Sequence, residues 1–420
     1  MKFLKPVVIT GYGVITPIGN NIQSFTNNLF LGKSGIGSIT KFDASKFRTQ
    51  FACEVKNYQP EDFFEKKEIK KYDLFTQYAL VATREAIKNA NLLDYTELNT
   101  EKVGVISASG VGGVQTFQQE MKAYYEQANN PRYLSPYFVT KMLIDTVAGY
   151  ISIHYGFKGI NFSTVSACAS SAHAIISAVQ NIQLGMADAI IVAGSEAPIH
   201  EAGIGSFNAL RALSEKNDNF ENACRPFDKN RDGFVMGEGA GALVIESLEH
   251  AQKRGANILA EISGYAMNAD AHHITAPSPA GEMIIKNMQQ ALANAQILNK
   301  PIDFINTHAT STPIGDIAEI NALKTVFGKD LSSINISAPK SMTGHLLGAA
   351  GVTESIISIL AIQYQQVPPT INTKEIDEQI GMDLNLTLGQ TQKRNIKYVL
   401  NNNFGFGGHN TSLIFKKFTN

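Results

Sequence analysis

Residues 164–174 read Thr-Val-Ser-Ala-Cys-Ala-Ser-Ser-Ala-His-Ala, so that Cys168 lies among small side chains. A short β-type run, 161–165, precedes the cysteine, and apolar residues on one face predict a helix over 172–184. A thiol at a helix N-terminus meets unpaired N–H groups and the positive end of the helix dipole, which favour the thiolate. The pattern indicates a nucleophile or a small buried residue, and burial is the commoner fate of a free cysteine.

The alternation of strand and helix extends over the whole chain. Strands are predicted over 7–10, 103–107, 189–194 and 240–246, and again over 259–265, 303–307, 334–338, 398–403 and 411–415. Helices are predicted over 73–89, 281–295 and 351–364. Largely buried strands that alternate with helices predict an α/β fold. The repeated order predicts two duplicated halves, residues 1–255 and 256–420, packed as one body.

The bulk composition excludes several classes of function. The chain has 420 residues, 44% hydrophobic and 17% charged, with a formal net charge of −1, so no global field attracts nucleic acid or an anionic membrane. Its three cysteines form no disulfide framework and have no zinc-type spacing, which fits a reducing cytosol. No run approaches the roughly 18 apolar residues of a membrane helix. We therefore expect a soluble, cytoplasmic protein without membrane insertion.

Two short motifs imitate ligand sites. Residues 109–113, Ser-Gly-Val-Gly-Gly, follow a strand but lack the G-x-G-x-x-G spacing of a dinucleotide loop. Residues 228–233 copy the first half of a calcium loop, but Glu238 stands one place before the position of the bidentate ligand. We expect a loop in which the glycines allow close backbone approach, and a structural turn whose carboxylates cap nearby N–H groups.

Two histidines follow predicted strands of the C-terminal half. His308 lies in Asn-Thr-His-Ala-Thr-Ser-Thr-Pro, residues 306–313, and His345 lies in the glycine-rich run 340–351. A single histidine is more often a hydrogen-bonded structural residue, but α/β folds place function at the carboxyl ends of strands. With Cys168, the two imidazoles would supply a nucleophile together with N–H donors or a base.

Four motifs in order, residues 166–170, 308–312, 340–345 and 403–408, resemble the β-ketoacyl-[acyl-carrier-protein] synthases, above all the elongating type II enzymes of bacterial fatty acid synthesis. The resemblance extends from residues 8–11 to 412–415 and includes 224–228, 231–234, 237–241 and 367–370. It implies a thiolase-like fold of duplicated halves in a five-layer αβαβα arrangement, working as a homodimer. It also implies a decarboxylative Claisen condensation that extends fatty acyl chains by two carbons.

The resemblance assigns the reacting groups residue by residue. Cys168 would take the acyl group from acyl-carrier-protein, and His308 and His345 would promote decarboxylation of the malonyl thioester and hold the enolate oxygen. Lys340, paired with Glu354, would organise the site. The backbone N–H groups of Cys168 and Phe404 would form the oxyanion hole, and Phe404 would also act as a gate in the glycine-rich loop 403–408.

The resemblance also implies binding residues. Thr310 and Thr312 would hold the pantetheine arm, Val111 would close the bottom of the acyl tunnel, and Phe138 would reach in from the partner subunit. The implied substrate-binding set is completed by Phe207, Thr275 and Phe406. The acidic carrier protein would dock on Lys67, Lys70, Lys71, Arg132 and Arg211. No cofactor and no metal are implied, because the substrates ride on the phosphopantetheine of the carrier.

The chain departs from the family pattern at a few places. Ala309 stands where the family usually has Gly, Asn403 where it has Ser, and His409 where it has Thr. Tyr133 occupies a docking position that is usually basic. No catalytic group is lost, so we expect activity, but acyl length and carrier preference stay open. Whether a structural monovalent ion is bound also stays open.

Other enzyme classes fit less well. A thiolase needs a second catalytic cysteine in its C-terminal half, and none follows Cys224. The enzymes that start chains on a coenzyme A ester use Cys-His-Asn, and a chain-length partner subunit lacks the nucleophile. A pure acyl-binding scaffold would leave Cys168 and both histidines unexplained. The same condensation in a dedicated polyketide or polyene pathway remains the alternative.

Overall fold

The computed structural model describes residues 5–298 and 301–419. Within these residues, ten strands form one mixed sheet and four short strands form two hairpin-like pairs. The strands are β1 (Val7–Ile15), β2 (Gly37–Ser38), β3 (Phe51–Ala52), β4 (Val103–Ala108), β5 (Asn161–Thr164), β6 (Ala189–Glu196), β7 (Gly239–Ser247), β8 (Ala260–Ala269), β9 (Phe304–Asn306), β10 (Asn335–Ser337), β11 (Gln366–Val367), β12 (Gln392–Lys393), β13 (Tyr398–Gly405) and β14 (His409–Lys416).

The helices alternate with these strands. They are α1 (Ile22–Phe30), α2 (Lys66–Ile69), α3 (Leu74–Asn89), α4 (Val114–Glu126), α5 (Phe138–Met142), α6 (Thr146–Tyr155), α7 (Ser170–Gln183), α8 (Glu201–Ala209), α9 (Leu248–Lys253), α10 (Glu282–Asn294), α11 (Pro313–Phe327), α12 (Lys340–Thr343) and α13 (Ala350–Tyr364).

The large sheet contains the same arrangement twice. Its order is β5-β4-β6-β7-β1 in one half and β10-β9-β13-β14-β8 in the other. In each half the first three strands are parallel and the remaining pairs are antiparallel. The halves are joined edge to edge where Val7–Ile9 of β1 pair with residues 260–262 of β8. The predicted α/β fold with duplicated halves is confirmed; the boundary between residues 255 and 256 stays a prediction.

Helices cover both faces of each half and form five layers. Helices α7 and α13 pack between the two halves, whereas α3 and α6 cover the outer face of one half and α10 and α11 that of the other. Adjacent strand residues point to opposite faces, so that Ile106 joins the central core and Val105 the outer one. Because both faces are covered, the strands are buried along nearly continuous apolar runs.

Helix α13 is the most apolar long segment of the described residues. The stretch Leu347–Tyr364 is 18 residues long with a mean hydropathy of 1.3, so by length and composition alone it is sufficient to cross a membrane. It is not an unbroken apolar run, because Thr353, Glu354 and Ser355 interrupt it. However, 89% of the stretch is buried inside the protein, where α13 packs against α7 and β13. Its apolar character is that of a core helix enclosed on all sides.

The topology brings the chemically interesting loops together. Because β4, β5 and β6 are parallel, the loops after Ala108, Thr164 and Glu196 leave the same edge of the sheet. The parallel strands β9, β10 and β13 do the same for the loops after Asn306, Ser337 and Gly405. Cys168 and His308 lie in the loops after β5 and β9, and His345 follows the short helix α12 after β10. The fold therefore positions two loop clusters, one per half, to meet.

The calcium-like turn is structural. The Asp228 carboxylate accepts hydrogen bonds from the backbone N–H groups of Asn230 at 2.8 Å, Lys374 at 2.8 Å and Glu375 at 3.1 Å. Its acceptor oxygens are therefore used by the backbone, which confirms the expectation that this turn caps nearby N–H groups.

Candidate active site

Cys168 lies in a single 3₁₀ turn, Ala167–Ala169, that leads directly into α7. Its side chain is buried, and Ala167 adopts a left-handed conformation with a φ of 49° that turns the chain into the helix. The glycine-rich loop packs on this turn: a Cβ at Gly405 would lie 2.7 Å from the carbonyl oxygen of Ser166 and 3.1 Å from the amide nitrogen of Cys168. Only glycine lets the two segments approach so closely.

Both histidines face this sulfur from the other half of the chain. The Nε2 of His345 lies 3.0 Å from the Cys168 Sγ, and the rings of His308 and His345 are 5.4 Å apart. The backbone of His345 is fixed because its N–H donates to Val235 at 2.8 Å and its carbonyl accepts from Gly237 at 2.9 Å. The structure therefore brings together all three predicted reacting groups.

A buried carboxylate fixes the His308 loop. Glu319 on α11 accepts the backbone N–H of His308 at 3.0 Å and that of Ala309 at 2.8 Å, and the Asn402 amide donates to it at 3.1 Å. Burial raises the pKa of Glu319 to about 7 despite these donors. The sequence analysis missed this residue; its one signal was its place three residues after Asp316, in a segment where no helix was predicted.

Lys340 and Glu354 form a buried ion pair behind the histidines. The second carboxylate oxygen of Glu354 accepts a hydrogen bond of 2.5 Å from the amide of Asn403, the residue before Phe404. The ion pair implied by the resemblance is thus present, and Asn403 links it to the glycine-rich loop. The departure from Ser to Asn at this position supplies an amide donor to the carboxylate.

The resting site contains a neutral thiol and neutral imidazoles. Burial raises the pKa of Cys168 to about 12, and the nearby Lys340 ammonium only partly opposes this. Burial, helped by the same Lys340, holds the pKa of His308 and His345 well below the usual histidine range. The expectation that the helix N-terminus favours a thiolate is wrong for the resting site, because desolvation outweighs it. The proton must leave Cys168 during reaction, and His345 is its adjacent acceptor.

Aromatic rings lie beside His308 and in the loop that follows. Phe404 packs edge-on against His308 with ring centroids 5.7 Å apart, and Phe406 lies 6.5 Å from Phe207. The backbone N–H of Phe406 favours the anionic form of the Cys168 sulfur and so lowers its pKa. The oxyanion role of the Phe404 amide stays a prediction.

The other predicted binding residues have different surroundings. The Oγ1 atoms of Thr310 and Thr312 lie 3.2 Å apart in a partly exposed loop next to His308. Thr275 follows Ile274, whose carbonyl accepts the N–H of Gly407 at 2.6 Å, so its loop touches the glycine-rich turn. Phe138 begins α5 and packs against Phe117 with ring centroids 6.1 Å apart.

Val111 lies in the loop after β4. It packs with Phe207 on the cluster that contains Phe234 and Leu347. It also lines a cavity of about 520 Å³ with residues 142–145, 161–163 and 165. Phe138 is not among the residues that line this cavity. The predicted roles of Val111 and Phe138 in the acyl site stay predictions.

Two of the predicted docking residues lie on or next to elements that pack on α4. Arg132 is in the turn 131–133 and Arg211 follows α8, and both elements contact α4. The three lysines lie in or just after α2, ahead of Asp73, which accepts a hydrogen bond from Thr116 of α4. Lys67, Lys70, Arg132 and Arg211 are exposed and Lys71 is half-buried. Lys67 also forms a surface ion pair of 2.8 Å with Glu65.

The three reacting groups could also bind a metal ion. The Cys168 sulfur and one nitrogen from each of His308 and His345 lie within 4.8 Å of one another and are buried. Thiolate and imidazole are zinc ligands, so geometry alone permits a metal there. The same geometry serves thioester chemistry, in which sulfur attacks a carbonyl and the imidazoles donate or accept protons. That no metal is held stays a prediction.

Comparison with known sequences shows the family of the chain. Residues 4–251 match the family model described as beta-ketoacyl synthase, N-terminal domain, and residues 259–374 match the C-terminal domain. The chain belongs to the beta-ketoacyl synthase family. It is 48% identical over 414 residues to 3-oxoacyl-[acyl-carrier-protein] synthase 2 of Staphylococcus aureus strain COL, covering 99% of both chains. It is 44% identical over 413 residues to the protein of that name from Coxiella burnetii, covering 98% of this chain and 99% of that one.

Solved ketosynthases share the fold of this family member. A beta-ketoacyl synthase from Burkholderia phymatum has a TM-score of 0.91 at 32% identity, covering 99% of this chain and all of the other. The ketosynthase of a type II polyketide synthase, solved in complex with its acyl-carrier protein, has the same TM-score, identity and coverage. These similarities confirm the expected family and its thiolase-like architecture.

The charges around Cys168 predict opposite effects of two substitutions. Lys340→Met removes the cation that lowers the Cys168 pKa, and Glu354→Gln removes a carboxylate that raises it. At pH 8, alkylation of Cys168 by iodoacetamide should slow about tenfold in Lys340→Met, as for one pKa unit, and quicken in Glu354→Gln. Mass spectrometry of the Cys168 peptide measures the alkylation rate. Cys224→Ala is the control and should leave the alkylation rate of Cys168 unchanged. Faster alkylation in Lys340→Met would contradict the charge assignment.

Proposed function

We propose that this chain is an elongating 3-oxoacyl-[acyl-carrier-protein] synthase of type II. It condenses malonyl-acyl-carrier-protein with an acyl group held on Cys168 and lengthens the chain by two carbons. The observation that carries the proposal is the buried constellation of Cys168, His308 and His345, with the His345 Nε2 3.0 Å from the sulfur. The chain-long identity to proteins named 3-oxoacyl-[acyl-carrier-protein] synthase 2 supports the substrate class.

Acyl transfer requires the Cys168 proton to move. As the sulfur attacks the thioester carbonyl, its proton passes to the Nε2 of His345, whose low pKa keeps it unprotonated and able to accept. Backbone N–H groups of the turn at Cys168 stabilise the tetrahedral oxyanion. Collapse of this intermediate breaks the bond to the pantetheine sulfur, which takes the proton from His345 and leaves as the free thiol of the carrier.

Condensation follows in the same place. The malonyl carboxylate leaves as carbon dioxide, and the electron pair it leaves behind forms an enolate. A neutral imidazole has one N–H donor and one acceptor, so His308 can donate to the enolate oxygen in the Nε2–H tautomer. His345, which returns to the Nδ1–H tautomer after acyl transfer, can do the same once solvent exchange has moved its proton from Nδ1 to Nε2. The enolate carbon then attacks the acyl carbonyl on Cys168. The carbon–sulfur bond breaks, the 3-oxoacyl carrier departs, and the sulfur regains one proton from solvent.

The proposed partner is the acidic acyl-carrier-protein. Exposed basic side chains surround α4, and the loop with Thr310 and Thr312 lies beside His308. A phosphopantetheine arm delivered over these threonines would reach the sulfur past Phe404 and Phe406. The related ketosynthase solved with its own acyl-carrier protein supports a carrier as partner. No cofactor is proposed, and the proposed location is the cytoplasm.

The proposed working form is a homodimer. Strand β5 ends the sheet, so one of its edges is open to another strand. Apolar side chains are exposed around it: Ile153 at 81%, Val165 at 59% and Val139 at 57%. A second copy could pair with this edge and insert its Phe138 beside the cavity that Val111 lines. Both features support an isologous interface about β5.

The second candidate function is the same condensation in a polyketide pathway. It is favoured by the TM-score of 0.91 to a type II polyketide ketosynthase. Sequence identity favours fatty acid synthesis. The chain is 48% identical to 3-oxoacyl-[acyl-carrier-protein] synthase 2 of Staphylococcus aureus and 32% identical to the polyketide ketosynthase. Mass spectrometry of the acyl group captured on Cys168 from a mixed carrier pool distinguishes saturated chains from polyketide chains.

The reaction is tested with purified acyl- and malonyl-carrier-protein. The protein should release carbon dioxide and form the 3-oxoacyl carrier, and Cys168→Ala should abolish acylation and product. Cys224→Ala removes another buried thiol, which donates to the Lys340 carbonyl at 3.0 Å, and should retain acylation. Failure of the native chain with every acyl length tried, or product from Cys168→Ala, would contradict the proposal.

If the carrier docks on the predicted basic residues, reversing their charge should weaken carrier binding without changing the chemical step. Arg132→Glu with Arg211→Glu should raise KM for the acyl carrier about tenfold at low salt, with a smaller effect at high salt because exposed charges are screened. Turnover of an acyl group on free pantetheine should not change. Lys329→Glu, an exposed lysine of the other half, is the matched control and should leave KM unaltered. Equal KM values in both variants would place docking elsewhere.

A dimer formed at the open edge of β5 should have twice the mass of the chain in solution. Light scattering should give twice the 45.6 kDa chain mass. A charge in the interface, Val165→Asp, should shift the protein toward the monomer because an unpaired carboxylate would be buried. Met382→Asp, at a position 76% exposed and remote from β5 in sequence, is the control and should stay dimeric. A native monomer would refute the proposed interface.

A further inference from the structure

The glycine-rich loop after β4 binds an anion that the chain itself supplies. The backbone N–H groups of Gly110 and Val111 donate to one carboxylate oxygen of Glu196, at 2.8 Å and 3.1 Å, and the Ser109 hydroxyl donates to the same oxygen. The Ser109 oxygen in turn accepts the N–H of Gly112 at 3.1 Å. The loop that imitates a dinucleotide site is therefore wrapped around Glu196.

Glu196 also joins the two halves of the molecule. It is the last residue of β6 and is fully buried. Its second oxygen faces the N–H of Gly348 at 3.5 Å, three residues after His345. Gly348 packs so closely on the loop that a Cβ there would lie 2.3 Å from the nitrogen of Gly110. One carboxylate thus connects the β4 loop, the end of β6 and the turn that follows the histidine.

The position of this loop determines the position of Val111. Val111 packs with Phe207 beside Leu347 and borders the cavity of about 520 Å³ next to β5. Its own N–H is one of the donors to Glu196. Phe234 of the same cluster lies against His345, with ring centroids 5.2 Å apart, so the cluster adjoins the site of Cys168. A long acyl chain on Cys168 that extends along this cluster would contact Val111, and a short one would not.

We propose that Glu196 is a positioning residue that fixes the Val111 loop and thereby determines how well long acyl chains are used relative to short ones. The inference rests on the proposed condensation. Removing the carboxylate leaves the N–H and O–H donors of the loop without their acceptor, and buried donors do not stay unpaired. The loop then moves, and Val111 moves with it. Glu196 forms no hydrogen bond with Cys168, His308 or His345, although its carboxylate contributes to raising the pKa of the Cys168 thiol.

The experiment compares kcat/KM for butanoyl- and tetradecanoyl-carrier-protein, each with malonyl-carrier-protein. In Glu196→Ala the ratio of long to short should fall about tenfold or more, the size expected for losing hydrogen bonds to a charged group. Glu196→Gln keeps an acceptor oxygen and should change the ratio less. Ser109→Ala removes one donor, leaves Glu196 in place, and should lower the ratio in part, which preserves the test if Glu196→Ala does not fold.

The control is a buried carboxylate elsewhere. Glu246 is the penultimate residue of β7, is fully buried, and forms ion pairs with Arg254 and His250, away from the β4 loop. Glu246→Gln should lower thermal stability yet leave the long-to-short ratio unchanged. An equal loss for both substrates in Glu196→Ala, or an unchanged ratio in Glu196→Ala and Ser109→Ala, would overturn the inference. No product from the native chain with either substrate would instead refute the proposed function.

Discussion

The contact between the Cys168 sulfur and the His345 imidazole is made across the interface of the two halves, and the site depends on it. The sulfur is positioned by β5 and α7, and the imidazole by β10 and the segment 235–237. Neither half contains a complete set of reacting groups. The site therefore depends on how the halves are joined, by the edge pairing of β1 with β8 and by the packing of α7 on α13. These contacts hold the nucleophile and its proton acceptor within hydrogen-bonding distance.

Much of this could be predicted because it rests on local patterns. Buried β-runs and amphipathic helices are encoded by residue periodicity, so α7 and α13 were predicted within two residues of their ends. The reacting residues stood in distinctive small-residue loops after strands. The α11 segment was missed, since it begins in the polar run after His308 and carries little apolar periodicity that a window can detect.

What the sequence could not provide is electrostatics and long-range pairing. Glu196 and Glu319 look like ordinary strand-end and helical glutamates, and only the folded chain shows them accepting backbone N–H groups of loops far away in sequence. The prediction of a thiolate at Cys168 was wrong for a similar reason. A helix N-terminus is visible in a sequence, but the desolvation that outweighs it depends on the burial of the sulfur in the folded site, where His345 lies beside it. The position of a residue at the end of a strand or helix is encoded locally, whereas the dielectric environment of its side chain depends on the whole packed site.

Helix α13 has a consequence for how this chain is made. Its apolar stretch is covered by α7, which is synthesised earlier, and by β13, which begins at Tyr398, more than thirty residues after α13 ends at Tyr364. During translation this apolar stretch therefore emerges when only the α7 part of its cover has been made, and the β13 part follows more than thirty residues later. Apolar surface that is exposed in this way in an unfinished chain is prone to aggregate and is the kind of surface that chaperones protect.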